Sequence, residues 1–185
     1  WGDISIVSFY ATKMITTGEG GAVLSDDLDL LERIKELRTY DEFEEYKLRF
    51  NYKMTDISAS IGLVQLRKLP SFIMRRREIA SFYREALKDL HICLPPEDKP
   101  FTYSVCYRFV IRLKKLEEVK RKMMMKGIEC KRPVYKPIHR YFRLSDYPKA
   151  DEIYETALSL PIYPSLSDSQ VEYIASSLKE VISSL

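Results

Sequence analysis

The sequence predicts an α/β chain. Three observations carry this. Two short apolar runs, 3–10 and 21–25, flank a glycine-rich loop, as paired strands do. Residues 71–90 place Ile79, Phe82, Tyr83, Ala86, Leu87 and Leu90 at helical spacing. After Pro100, strand-like and helix-like segments alternate, the order that builds layered α/β domains.

The elements follow in order. Ser25-Asp26-Asp27 supplies caps for a helix to about residue 38, with Leu30, Leu31, Ile34 and Leu37 on one face. Residues 40–55 are polar, aromatic and unperiodic and read as a long loop, a class of segment that is often functional. Residues 56–69 form a helix with apolar residues on more than one side (Ile57, Ile61, Leu63, Val64, Leu66), a pattern that predicts burial, as at a subunit interface. Pro70 is expected to end that helix or to start the next. Pro95, Pro96 and Pro100 mark a linker. Beyond it come a strand over 104–113, a helix over 115–126 stopped by Gly127, and a strand over 128–134 ended by Pro133. A short helix over 149–158 and a last helix complete the chain. That helix opens on the capping box Ser167-x-x-Gln170 and carries Val171, Ile174, Leu178, Val181 and Leu185 in step. The organisation expected is therefore 1–70 as the end of a larger sheet domain, 71–100 as a connecting helix and linker, and 101–185 as a small domain. The strands of the first part need sheet partners from outside this sequence.

Composition narrows the function classes. The 185 residues are 45% hydrophobic and 31% charged, with 30 Lys and Arg against 27 Asp and Glu. A net charge of +3 lacks the clustered basic face of a nucleic-acid binder. Arg75-Arg76-Arg77 and Lys114-Lys115 are the densest basic spots and read as solvated helix faces. Cys93, Cys106 and Cys130 are scattered, with neither a disulfide framework nor zinc spacing, which fits reduced thiols in the cytoplasm. No apolar run approaches the roughly 20 residues that span a bilayer, and no signal peptide is visible.

One stretch carries chemistry: Ser8-Phe9-Tyr10-Ala11-Thr12-Lys13-Met14-Ile15-Thr16-Thr17-Gly18-Glu19-Gly20-Gly21. An isolated lysine on a hairpin loop is most often simply exposed. The same placement also suits a desolvated, nucleophilic amine that forms imines with carbonyl compounds. Glu19 holds the turn, which lacks the spacing of a dinucleotide site. His91 reads as a surface residue.

Further segments align in one register with that stretch: Arg49-Phe50-Asn51-Tyr52-Lys53-Met54-Thr55, Ala59-Ser60-Ile61-Gly62-Leu63-Val64-Gln65-Leu66, Arg76-Arg77-Glu78-Ile79-Ala80 with Tyr83, Tyr135-Lys136-Pro137-Ile138-His139, and Leu158-Ser159-Leu160-Pro161-Ile162-Tyr163-Pro164. Together they resemble the DegT/DnrJ/StrS sugar aminotransferases, along the whole chain. The resemblance implies a fold-type-I enzyme dependent on pyridoxal phosphate (PLP). Such an enzyme moves an amino group, with glutamate as donor, to a nucleotide-linked keto sugar. It implies a cytoplasmic homodimer with composite active sites. It makes Lys13 the residue that holds PLP as an imine and then moves a proton between substrate and cofactor carbons. Ser8 hydrogen-bonds the PLP phosphate, and Asn51 reaches the phosphate of the neighbouring subunit. Lys53, Tyr135 and His139 are the substrate-side candidates. Lys53 stands where the family usually has arginine, and Val134 where relatives often carry an aromatic or histidine. Roughly as many residues again precede the family's equivalent of Trp1, including the carboxylate under the pyridine nitrogen and the aromatic that stacks on the ring. The chain is thus expected to be a C-terminal half, inactive by itself. Two other readings remain: a same-fold PLP sugar dehydratase, in which histidine replaces the lysine, and a non-catalytic fragment or assembly subunit.

Overall fold

Residues 5–8 and 21–24 pair as antiparallel strands β1 (Ser5–Ser8) and β2 (Gly21–Leu24), with Ser8 opposite Gly21. The computed structural model describes residues 2–185. Helix α1 (Leu28–Arg38) starts at Asp27, whose carboxylate accepts the Leu30 N–H at 3.0 Å, as the aspartate-rich start predicts. Residues 40–55 contain no helix or strand. Helix α2 (Asp56–Leu87) follows, and the chain divides into two compact units at Pro70, inside this helix.

The uninterrupted α2 overturns the expected break at Pro70. A mid-helix proline removes one N–H bond and crowds the carbonyl four residues back. Leu66, which carries that carbonyl, is exposed, as are Arg67 and Lys68. Water reaches the freed acceptor there, so the cost does not force an end. The apolar residues of this part of α2 find no cover within the chain itself, and the expected burial at a subunit interface is not tested by one chain. Ile57, Ile61, Leu63, Val64 and Leu66 are exposed rather than buried in this chain. Among the described residues of the first unit only Thr17 is buried.

The second unit contains the core. Strands β3 (Phe109–Arg112) and β4 (Ala157–Leu160) pair antiparallel, Phe109 opposite Leu160. Helix α3 (Leu116–Met125), the later part of α2 and helix α6 (Asp168–Ser183) add Val119, Met123, Tyr83, Leu87, Leu178 and Val181 to one continuous apolar cluster. Tyr83 is fully buried, edge-on to Phe109 with ring centroids 5.3 Å apart. Its hydroxyl donates to the Pro161 carbonyl at 2.9 Å, and burial raises its pKa. Buried hydroxyls need such a partner. The Cys130 thiol, also in the cluster, is pushed up to about 12 by burial and is inert at neutral pH.

Three further expectations change in this unit. The strand expected over 104–113 is only Phe109–Arg112. Cys106 has φ 49°, a left-handed backbone that cannot continue a strand, and Ser104 donates its N–H to Asp98. The strand expected over 128–134 reduces to one bridge, Lys131 with Ser159. The helix expected over 149–158 is α5 (Pro148–Thr156), and its last two predicted residues belong to β4. A single-turn helix, α4 (Ile138–Tyr141), lies in the loop before α5.

The arginine triplet is not a solvated face. Arg76 is buried and donates to the Tyr107 and Ile162 carbonyls at 3.0 and 2.7 Å. Arg75 donates to the Leu166 carbonyl and pairs with Asp168, while Arg77 pairs with Asp98 and donates to the Ser104 carbonyl. The predicted capping box is present: Ser167 Oγ accepts the Gln170 N–H at 3.2 Å, and Gln170 Oε1 accepts the Ser167 N–H at 3.0 Å.

Two substitutions grade these contributions. Phe109→Ala is expected to cost about 3–5 kcal/mol of unfolding free energy. Ser167→Ala is expected to cost about 1 kcal/mol. Urea unfolding followed by circular dichroism measures both; equal costs would contradict the placement of the core.

Candidate functional site

The loop between β1 and β2 is tied by its own polar groups. The Phe9 N–H donates to the Gly20 carbonyl at 2.9 Å. The Phe9 carbonyl accepts from the Thr17 N–H at 3.0 Å and from the Thr16 hydroxyl at 3.1 Å. The Thr16 oxygen in turn accepts the Gly18 N–H at 2.9 Å. Thr17 Oγ1 donates to the Glu19 carbonyl at 2.6 Å. Gly18 and Gly20 have φ 82° and 139°, conformations open to glycine and strained for other residues.

Lys13 and Ser8 belong to this one loop. The Lys13 N–H donates to the Tyr10 carbonyl at 2.9 Å, and the Tyr10 N–H donates to Ser8 Oγ at 3.3 Å. Two short links therefore connect the hydroxyl to the lysine backbone. Lys13 is exposed, and its ammonium has no hydrogen bond or ion pair among the described residues. Ser8 is exposed and uses its oxygen as an acceptor only.

Asn51 and Lys53 sit on a second segment of the same unit. The Phe50 N–H donates to the Leu37 carbonyl at 2.7 Å and the Tyr52 N–H to the Arg38 carbonyl at 3.1 Å. These carbonyls lie at the end of α1, where a helix leaves acceptors free. The Phe50 and Tyr52 rings stack in parallel, 5.0 Å apart. Asn51 lies between them in sequence, exposed, with no side-chain partner among the described residues. Lys53 pairs with Asp41 at 3.0 Å, and its hydrogen bond is the main reason that the Asp41 carboxyl is held below its ordinary pKa. Arg49 secures the same segment. It donates to Glu36 at 2.8 Å and lies 4.0 Å from the Phe43 ring centre, and its hydrogen bond is the largest influence lowering the Glu36 pKa. Charge pairs and backbone bonds, rather than a buried core, order this long loop.

Tyr135 and His139 lie in the second unit. Tyr135 is exposed, and its carbonyl accepts the Tyr154 hydroxyl at 3.0 Å. His139 is buried, 3.1 Å from Asp151 and stacked on Tyr147 at 5.1 Å. Asp151 also accepts from Arg140 Nε at 2.7 Å. Arg140 continues to Glu155 at 2.9 Å, and Arg132 reaches Glu155 at 3.5 Å. Sequence reasoning picked out His139 and missed Asp151, Arg140 and Glu155, because ordinary charged residues on a short helix carry no motif. Thr17 and Gly62 went unremarked for a similar reason: one is a loop threonine, the other a glycine inside a helical pattern.

No described helix is long and apolar enough to cross a membrane, and no group of His, Cys, Asp and Glu among the described residues is placed to hold a metal.

These two units define a class, the fold-type-I α/β aminotransferases. The aminotransferase TlmJ from Streptoalloteichus hindustanus superposes with a TM-score of 0.92 at 31% identity, over 99% of this chain and 53% of that one. Spr1654 from Streptococcus pneumoniae, solved in a PLP form, superposes with a TM-score of 0.88 at 29% identity, over 99% of this chain and 52% of that one. The GDP-perosamine synthase of Escherichia coli O157:H7 is 35% identical over 193 residues, covering 99% of this chain and 53% of the synthase. The chain belongs to the DegT/DnrJ/EryC1/StrS aminotransferase family, which it matches over residues 1–179. It spans about half the length of the curated relatives it matches, 53% in the case of the synthase.

The Asp151 cluster makes a pH dependence. Hydrogen bonds from Arg140 first, and from His139 next, hold the Asp151 carboxyl below its ordinary value. An aspartate depressed in the folded state stabilises fully above its unfolded pKa, about 3.9, and that contribution is lost as the pH falls through the lower folded value. Asp151→Asn is therefore expected to flatten the decline of unfolding free energy below about pH 4. Identical slopes for both proteins in acid titrations of stability would remove Asp151 from the account.

Proposed function

We propose that this chain forms the C-terminal part of a PLP-dependent aminotransferase. The whole protein moves an amino group from an amino-acid donor, glutamate, to a keto sugar carried on a nucleotide. Lys13 carries the reading. It is an amine without an ion-pair partner among the described residues, on a loop tied by its own hydrogen bonds, in a chain that matches an aminotransferase family over residues 1–179.

The donor set fits the cofactor. Lys13 offers an amine for an aldehyde, Ser8 a hydroxyl proton not otherwise donated, and Asn51 an unpartnered amide. Neutral donors of this kind bind a phosphate dianion without adding charge beside the lysine. When bound, PLP takes up the electron pair released as a C–H bond beside nitrogen breaks. Lys13 Nζ would hold the cofactor carbon as an imine and, once a donor amine displaces it, would carry the proton between that carbon and the substrate carbon. Ser8 Oγ would donate to the phosphate of its own subunit. Asn51 would donate to the phosphate of the other subunit in a homodimer. Lys53 and Tyr135, both exposed, are each substrate-side candidates on their own unit; Lys53 would exchange Asp41 for substrate. His139, buried and paired with Asp151, is the third substrate-side candidate.

A dehydratase of the same fold carries histidine in place of the lysine, so Lys13 favours amino transfer. The exposed row Ile57, Ile61, Leu63, Val64 and Leu66 supports an active form larger than this chain. Three free thiols, Cys93, Cys106 and Cys130, support a reducing compartment, the cytoplasm.

The test is chemical. The whole protein, loaded with PLP and reduced with borohydride, is expected to yield a pyridoxyl peptide at Lys13; a label elsewhere, or none, overturns the reading. Lys13→Ala is expected to lower amino transfer at least ~10²–10⁴-fold, the scale of one acid–base group. Mixing Lys13→Ala and Asn51→Ala subunits restores activity if each site draws on both protomers. Activity no higher than that of the parents means self-contained sites.

A further inference from the structure

We propose that Thr17 and Gly62 form a clasp that positions Lys13, with Thr17 as the positioning residue and Gly62 as the gap that admits it. The proposal rests on the assignment of Lys13 above. Thr17 lies four positions after Lys13 on the same loop and is the buried residue among the described residues of the first unit. Its two side-chain branches meet two glycines. A Cβ added at Gly62 would fall 2.9 Å from Thr17 Cγ2, and one added at Gly20 would fall 2.8 Å from Thr17 Oγ1. Both distances are below the 3.0 Å that real Cβ atoms keep.

The two glycines serve different needs. Gly20 has a positive φ and is required for its backbone as well as its size. Gly62 lies inside α2 without a positive φ, so the backbone does not call for glycine there. Glycine is also the poorest helix former after proline. The close approach of Thr17 Cγ2 accounts for it. Threonine branches at Cβ and is stiff, so the methyl cannot swing aside.

From Thr17 the constraint passes to the lysine. The Thr17 N–H is bonded to the Phe9 carbonyl, and its hydroxyl to the Glu19 carbonyl. Phe9 is also held by Thr16 and Gly20, and the next residue, Tyr10, accepts the Lys13 N–H. A Cβ at position 62 therefore pushes on Thr17 and shifts the loop that bears Lys13. Catalytic amines are sensitive to such shifts, because displacement of about 1 Å can cost on the order of 100-fold in rate.

The experiment uses the whole protein loaded with PLP and compares Gly62→Ala with Gly62→Ala/Thr17→Ser. Serine keeps the hydroxyl and removes Cγ2. Gly62→Ala is expected to move the pH midpoint of the absorbance band of lysine-bound PLP. It should also speed amide exchange at Lys13 and Thr17 at least ~10-fold and lower kcat on the order of 100-fold. Thermal stability should hold or fall, since the forced contact offsets what alanine contributes to the helix. The double variant is expected to recover the midpoint, the exchange rates and most of kcat. If Gly62→Ala fails to fold, recovery of folding in the double variant reads the same contact. A single variant that matches the unmodified protein, or a double variant no better than the single, overturns the clasp. Absence of a borohydride label at Lys13 in the unmodified protein instead defeats the PLP reading, and amide exchange still decides the clasp.

Discussion

The register of β1 against β2 is the constraint on which the lysine loop depends. Ser8 opposite Gly21 fixes both ends of the connection at one rung of the ladder. The rung is tight: a Cβ on Gly21 would sit 2.7 Å from the Val7 carbonyl oxygen. A slip by one residue would turn each side chain to the other face of the pair. Everything between the strands is then arranged by short hydrogen bonds, with Phe9 receiving from Thr16 and Thr17 and donating to Gly20. A lysine in such a frame has little conformational freedom of its main chain left to lose on taking up a ligand.

The two units are stabilised by different physics. The second buries Phe109, Ile111, Leu158, Leu160 and Leu178 in one cluster, where apolar burial of about 25 cal/mol per Å² dominates. The first relies on backbone bonds and ion pairs around Arg49, Lys47 and Lys53. Exposed ion pairs such as those of Lys47 and Lys53 are worth no more than about 1 kcal/mol each, and the Arg49 guanidinium is the more shielded partner among them. The first unit therefore has little stability of its own beyond local hydrogen bonding. Its exposed apolar residues on α2 are the surface through which further burial becomes available.

Much of this was legible from local signals. The Ser167–Gln170 capping box, the stop at Gly127 and the aspartate start of α1 are interactions between residues close in sequence, and the structure has all three. The lysine loop was legible because strand, glycine and lysine lie in one short stretch. What escaped depends on distant partners. β4 is a strand because Ala157–Leu160 meets Phe109–Arg112, and four residues after a helix carry no period of their own. The strand read over 104–108 had a convincing alternation, which the left-handed Cys106 overrides. Pro70 looked like a boundary by propensity, yet the helix is exposed there and tolerates it. Asp151 beside His139, and Thr17 against Gly62, are pairings that no spacing rule announces.

The arginine triplet on α2 has a consequence for how the family can vary. Successive helix positions point about 100° apart. Arg75, Arg76 and Arg77 therefore reach four carbonyls on two connecting stretches: Ser104 and Tyr107 before β3, and Ile162 and Leu166 between β4 and α6. Two loops are thus anchored within one turn of helix. Replacing one arginine releases one anchor, but inserting or deleting a single residue just ahead of them would rotate all three off their carbonyls together. Length changes in this stretch should be far rarer among relatives than substitutions, and insertions should collect in the loops on either side.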